Sequence, residues 1–189
     1  NPMPGDQVLD KAEAPGSKTA QMGIMMKNQG KIFANELNLI RHEKLKYNLD
    51  KQGIKNAAVN LGDGTALGDA FPNSFDKVLL DAPCSAEGRI NLSDPKSYKF
   101  WSEKNIRQNA KLQKRLFESG VKALKSGGVM VYSTCTLAPE ENEMMVDFAL
   151  KNFKDILEIE RLDLDFKHKL PILDHFAEVR FNPQVKNSM

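Results

Sequence analysis

A chain of 189 residues, 41% hydrophobic and 28% charged, has the length and balance of one folded domain, not of a disordered segment. No run approaches the ~20 apolar residues of a membrane span. The opening "NPMPGDQVLD" has neither a basic nor an apolar leader region, so the expected place is cytoplasmic, with no membrane partner.

The net charge of +2 conceals a segregation. From Arg89 to Lys125 there are ten Lys or Arg against three Asp or Glu, and from Pro139 to Asp165 nine acidic against three basic residues. A local basic face attracts polyanions even at small net charge, although a solvated helix surface has the same composition.

Short apolar runs alternate with amphipathic stretches. "QVLD" (7–10) reads as a strand, followed by the turn "KAEAPGSKT" and a helix over 19–29 closed by Gly30. "KIFANE" (31–36) is a second strand. The next stretch sets Leu37, Arg41, Leu45 and Leu49 at helical spacing with Gly53 as the stop. "AAVNL" (57–61) and "KVLLDAP" (77–83) are the third and fourth strands, the latter apolar enough for a sheet covered on both faces.

A polar connection from Ser85 to Trp101 is longer than most loops in compact domains, as functional loops often are. Ser102 caps a helix expected to run to about Lys125 and to end at Gly127-Gly128. Trp101 is expected to anchor the start of that helix in the core, with base stacking as its other role. "VMVYSTC" (129–135) is the fifth strand. Pro139 opens a further helix whose Glu140, Glu141 and Glu143 suit its dipole. "ILEIERL" (156–162) is a sixth strand, and a weaker run, "FAEVRFNP", follows at 176–183.

This alternation predicts an α/β fold with a doubly wound, mostly parallel sheet, and such sheets bind ligands beyond the carboxyl ends of their strands. Those ends carry "APGSK", Glu36, Asp63, "DAPC" and "STC". The first loop is not a phosphate-binding P-loop, since the two glycine positions preceding Lys18 hold Ser17 and Ala12. A G-x-G-x-x-G fingerprint is absent as well. Glu36 stands where a nucleotide site places a carboxylate for ribose hydroxyls, or where a helix takes an N-terminal charge. Asp63, between glycines, is a second such carboxylate or a turn residue. Together with the first loop they suggest an adenosine-bearing cofactor.

The chain holds only two cysteines, Cys84 and Cys135, at the ends of the fourth and fifth strands. Those strands are neighbours in the usual order, so both thiols should face one cleft. Without signs of secretion a disulfide is not expected. Three scattered histidines, His42, His168 and His175, give no zinc set, and no metal is expected. A Cys–His hydrolase lacks an evident base.

With "APGSKT" upstream, "DAPCS" and "STCTLAPEENE" resemble the Sun-family RNA (cytosine-5) methyltransferases over nearly the whole chain, from about Gly5 to "VRFNP". The resemblance implies a Rossmann-like methyltransferase fold, S-adenosyl-L-methionine as cofactor and RNA as partner. "CSAEGRI" is closer to the bacterial ribosomal RNA enzymes than to those acting on tRNA. By resemblance Cys135 is the nucleophile, Cys84 assists release of the product, Asp81 holds the base edge and Lys18 reaches the same pocket. Ala12, Glu13, Ala14, Pro15, Gly16, Ser17 and Lys18, with Glu36, Arg41, Asp63 and Asp81, are expected around the cofactor.

The sequence departs from the family at Glu13, where a small residue is preferred, and at Ala86, where glycine is usual. The family's N-terminal RNA-binding extension and its closing C-terminal strand are expected to be absent. The chain then reads as a single catalytic domain over 1–189, expected to be monomeric. A non-catalytic RNA-binding module on the same fold is the alternative.

Overall fold

The computed structural model describes residues 2–11, 15–161 and 177–181. Seven strands form one sheet in the order β3-β2-β1-β4-β5-β7-β6. They are β1 (Gln7–Asp10), β2 (Lys31–Glu36), β3 (Ala57–Leu61), β4 (Phe75–Asp81), β5 (Leu124–Ser133), β6 (Leu157–Arg161) and β7 (Ala177–Phe181). The first five pair in parallel. β7 runs antiparallel to both β5 and β6. Within the weak run at 176–183, Ala177–Phe181 thus supplies an antiparallel strand to the sheet.

Successive residues of a strand point to opposite faces, so a sheet covered on both sides can be apolar throughout. In β1, Val8 packs with Met22, Met26 and Ile32 on one face. Leu9 points the other way and joins Val78, Leu80, Phe117 and Met130. The first face is covered by α1 (Ser17–Met25) and α2 (Leu39–Lys51), the second by the short α3 (Leu67–Ala70), α4 (Glu103–Ala123) and α5 (Glu143–Phe153). Ordered helices on both faces are the doubly wound arrangement expected. Among the described residues, no helix is long and apolar enough to cross a membrane.

Several boundaries differ from the sequence reading. α1 already begins at Ser17 and ends at Met25. In α2 the buried residues are His42, Leu45 and Leu49, whereas Leu37 is exposed and Arg41 faces solvent beside Glu36. α4 ends at Ala123, and Gly127-Gly128 lie inside β5, where an irregularity against β4 falls between the pairs Phe75↔Leu124 and Lys77↔Val129. The two glycines therefore mark a register shift within the strand, not a helix cap. Pro139 opens a 3-10 turn, Pro139–Glu141, ahead of α5.

The loop from Ser85 to Trp101 contains only two 3-10 turns, Glu87–Arg89 and Pro95–Tyr98. Ala86 sits there at φ 57, left-handed backbone that glycine adopts without strain and alanine does not. That is the physical reason glycine suits this position.

Candidate active site

The loop after β1 delivers Lys18. Gly16 precedes α1 at φ 102, and a Cβ there would stand 2.8 Å from Leu45 Cδ1, so glycine alone lets the turn lie against α2. Asn48 of α2 donates to the Pro15 carbonyl at 2.6 Å, and Thr19 donates to the buried Asp10 at 2.8 Å. Held in this way, the first turn of α1 sends the Lys18 ammonium to Asp81 Oδ2 at 2.5 Å. The other oxygen of Asp81 accepts from Ser133 Oγ at 2.8 Å. Pro15 and Ser17 are exposed beside this pair. Ala12, Glu13 and Ala14 lie outside the described residues.

Glu36 ends β2 nearly buried, accepting from the Asn38 amide at 2.8 Å and paired with Arg41 Nε at 3.3 Å. Asp63 is exposed after β3, and the Thr65 backbone N–H at 2.8 Å holds its carboxyl below the usual carboxylate range. Asn35 connects these loops, donating to the carbonyls of Lys11 and Gly62. Lys11 itself is 1% exposed, and its ammonium has no hydrogen-bond partner among the described residues. Burial lowers its pKa to about 7, against the opposing pull of Asp63.

The two cysteines meet because β4 and β5 pair in parallel with Asp81 opposite Ser133. A few residues past that pair, Cys84 Sγ lies 3.3 Å from Cys135 Sγ, and the Cys135 amide donates to Cys84 Sγ at 3.4 Å. Both are free thiols, Cys84 partly buried and Cys135 exposed. Burial pushes the Cys84 thiol up to about 11, so it stays protonated at neutral pH. A protonated, recessed thiol beside an exposed one is an asymmetric pair suited to two different tasks.

Around the thiols a buried network fixes both loops. Glu141, 0% exposed, accepts from the Ser85 amide at 3.1 Å on each oxygen and from Ser85 Oγ at 2.6 Å. Gln113 of α4 donates to Glu141 Oε1 at 3.3 Å and to the Pro83 carbonyl at 2.8 Å. Ser85 Oγ also meets Thr136 Oγ1 at 2.7 Å. Gly88 N donates to the Cys135 carbonyl at 3.0 Å, and a Cβ on Gly88 would stand 3.0 Å from that oxygen.

The family model of the 16S rRNA methyltransferases RsmB/F matches residues 1–188. The chain belongs to this family. It is 43% identical over 180 residues to the ribosomal RNA small subunit methyltransferase F of Vibrio parahaemolyticus, covering 95% of this chain and 37% of that protein. The protein of the same name from Serratia proteamaculans is 46% identical over 156 residues, 82% of this chain and 32% of the relative. Among solved structures, NSun6 from Pyrococcus horikoshii with SFG superposes with a TM-score of 0.81 at 30% identity, over 95% of this chain and 49% of that one. The chain thus spans about a third of the length of these two curated relatives and about half of the solved one.

In this RsmB/F chain the structure brings Lys18, Asp81, Cys84 and Cys135 to one sheet edge, and Glu36 with Arg41 and Asp63 to the neighbouring strand ends. Gln113 and Lys11 carry no sequence signal that singles them out, and Ser85 and Ser133 stand in "DAPCS" and "STC" without one that shows their roles. Glu141 does stand in "APEENE", but acidic residues at a helix start look alike whether solvated or buried. Trp101 is not a core anchor: it is 48% exposed, and its indole N–H donates to Glu87 Oε1 at 2.7 Å.

Proposed function

We propose that residues 1–189 are the catalytic core of an S-adenosylmethionine-dependent RNA (cytosine-5) methyltransferase acting on ribosomal RNA through a covalent cysteine adduct. The observation that carries this reading is the contact of Cys84 and Cys135 at 3.3 Å, beside the Lys18–Asp81 pair. The RsmB/F membership and the names of the relatives support ribosomal RNA as the substrate.

The residues fit an adenosine-bearing cofactor by the chemistry of their donor set. Glu36 uses each carboxylate oxygen once, for Asn38 and Arg41, and keeps acceptor capacity for hydroxyl donors. Asp63 is exposed at the adjacent strand end and suits an amine donor. Pro15 to Lys18 border the same edge. When bound, S-adenosylmethionine supplies a methyl group on a sulfonium.

Carbon 5 of cytosine is too poor a nucleophile to take that methyl unaided. Attack of the Cys135 sulfur on carbon 6 forms an S–C bond and moves the carbon 5–carbon 6 π electrons onto carbon 5. In this reading Asp81 holds the base edge and stabilises its protonated ring, and its contacts with Lys18 and Ser133 support that role. After methyl transfer the carbon 5 proton passes to solvent water, the C–H electrons re-form the carbon 5–carbon 6 double bond, and the S–C electrons leave with Cys135 as thiolate. Cys84, protonated at neutral pH and in contact with the Cys135 sulfur, assists that departure by donating a hydrogen bond to the leaving sulfur.

Cys135→Ala and Cys84→Ala test this assignment on a ribosomal RNA fragment and, in parallel, on transfer RNA. Cys135→Ala is expected to abolish methylation and to form no adduct. Cys84→Ala is expected to accumulate a methylated protein–RNA complex that survives a denaturing gel. An adduct that persists in Cys135→Ala overturns the assignment. A calorimetric titration that detects no S-adenosylmethionine binding favours a non-catalytic module instead.

A further inference from the structure

The loop that begins beside Cys84 ends in a group of side chains left in solvent. Phe100 is 78% exposed and Trp101 48%, with Leu92 at 85% and Tyr98 at 39% in the same stretch. Exposed apolar side chains that gather in one segment mark an interaction surface. The exposure does not come from a loose backbone. Trp101 N donates to the Tyr98 carbonyl at 3.0 Å, and Asn105 Nδ2 donates to the Phe100 carbonyl at 3.3 Å.

The indole is also tied to the catalytic loops. Glu87 accepts from Trp101 Nε1 at 2.7 Å and from Thr136 Oγ1 at 3.2 Å, and Thr136 directly follows Cys135. One carboxylate therefore fixes the distance between the aromatic pair and the nucleophile proposed above. A cation lies against one of the rings: Lys99 Nζ is 5.5 Å from the Phe100 ring centroid. Arg89, Lys96 and Lys99 are exposed and form no ion pair among the described residues.

Exposed aromatic faces interleaved with unpaired cations match one polymer chemistry, an unpaired nucleic acid strand whose bases stack while its phosphates meet the cations. Duplex RNA stacks its bases on one another and offers side chains no free base face. We propose that Phe100 and Trp101 form a stacking platform for an unpaired RNA base flanking the target cytosine, with Arg89, Lys96 and Lys99 along its backbone. This deepens the RNA reading above and rests on it. Its consequence is selectivity: the chain engages the strand only where the bases beside the target are unpaired.

Trp101 is the only tryptophan of the chain, so its fluorescence reports on the platform directly. The experiment titrates the 189-residue protein with a short unpaired oligoribonucleotide of mixed sequence and, separately, with the same strand annealed to its complement. Stacking quenches indole emission, so the unpaired strand is expected to quench and the duplex to leave emission largely unchanged. Phe100→Ala, a change at an exposed position, is expected to weaken binding of the unpaired strand roughly tenfold, and Phe100→Tyr to restore it. Cys135→Ala is expected to lose methylation and keep the quenching, so failure of the catalytic assignment is distinguishable from failure of the platform. Equal quenching by the duplex overturns the proposal. So does unchanged affinity in Phe100→Ala, or the absence of quenching with any RNA.

Discussion

Lys11 shows how one residue can oppose the fold that surrounds it. Its stem packs beneath Gly120 of α4, but its ammonium is buried without a hydrogen bond among the described residues. Folded, it titrates at about 7, whereas unfolded it holds its proton to its ordinary value of 10.5. The unfolded chain therefore binds more protons between those values, and stability rises with pH across that window. Below about 7 both states are charged and the full burial penalty remains. Each pH unit is worth ~1.4 kcal/mol. From pH 7 to about pH 9 the native protein should gain about 2 kcal/mol relative to Lys11→Met, which removes the titration. Urea denaturation of both proteins at several pH values checks this, and parallel pH profiles would show that Lys11 is not neutralised on folding. Cys84 does not disturb the comparison, since it is present in both.

At the scale of elements, the cysteine loops are held by contacts from outside themselves. β4 and β5 set the register, but neither strand reaches the thiols. Glu141, from the turn before α5, gathers Ser85 beside Cys84 and Gln113 from the middle of α4. Tyr132 of β5 donates its hydroxyl to the Glu141 carbonyl at 2.7 Å, closing the group from below. A carboxylate is needed because donors meet both of its oxygens, whereas an amide accepts on one atom and donates from the other. Glu141→Gln preserves volume but turns one acceptor into a donor facing the Ser85 N–H and hydroxyl. A buried donor left unsatisfied costs about 1–3 kcal/mol, so the variant should lose about 2 kcal/mol of stability. The loss should be local as well: amide hydrogen exchange at Ser85 and Gly88 should quicken more than at Leu9 or Val78 in the central strands. Uniform quickening would mean that Glu141 supports the whole fold and not these loops.

Across the whole molecule, charge is sorted by pairing as well as by position. The basic segment from Arg89 to Lys125 does not present all its cations to solvent in the same way. Lys122 pairs with Asp69 at 2.8 Å and Lys125 with Asp76 at 2.7 Å, binding the end of α4 and the start of β5 to their neighbours. Arg107 pairs with Glu103 along α4. Arg89, Lys96 and Lys99, in the loop that follows Cys84, form no ion pair among the described residues and are the cations that the proposed platform assigns to a polyanion. Binding of RNA should weaken steeply with salt, because each phosphate contact releases counterions. Lys96→Ala and Lys99→Ala should each reduce the slope of log affinity against log salt by about 1. Lys122→Ala should leave it unchanged. Filter binding over a range of salt concentrations separates these cases, and equal effects from all three lysines would place the RNA along α4 instead.

The sequence by itself determined the alternation of strands and helices, because periodicity and turn residues are local properties. β2 and β3 fall where "KIFANE" and "AAVNL" predict them, residue for residue. It also determined which residues stand at the strand ends, and so Lys18, Glu36, Asp63, Asp81, Cys84 and Cys135 were legible as one edge. The loop motifs, compared with a known family, carried the choice of chemistry.

What only the tertiary structure decided are the relations between residues distant in the chain. The contact of Cys84 with Cys135 depends on the parallel register of Asp81 with Ser133, which no local pattern encodes. Glu141 reads as a helix-start acid until Ser85 and Gln113 are brought around it. The Gly127-Gly128 pair, a helix stop by local rules, lies within β5 because pairing with β4 recruits the residues before it into the strand. Trp101 reads as core by its size, yet the indole lies half in solvent because Glu87, reached through the fold of its own loop, takes its N–H. Hydrogen bonds and burial between distant segments are settled by packing, and packing exists only once the whole sheet has formed.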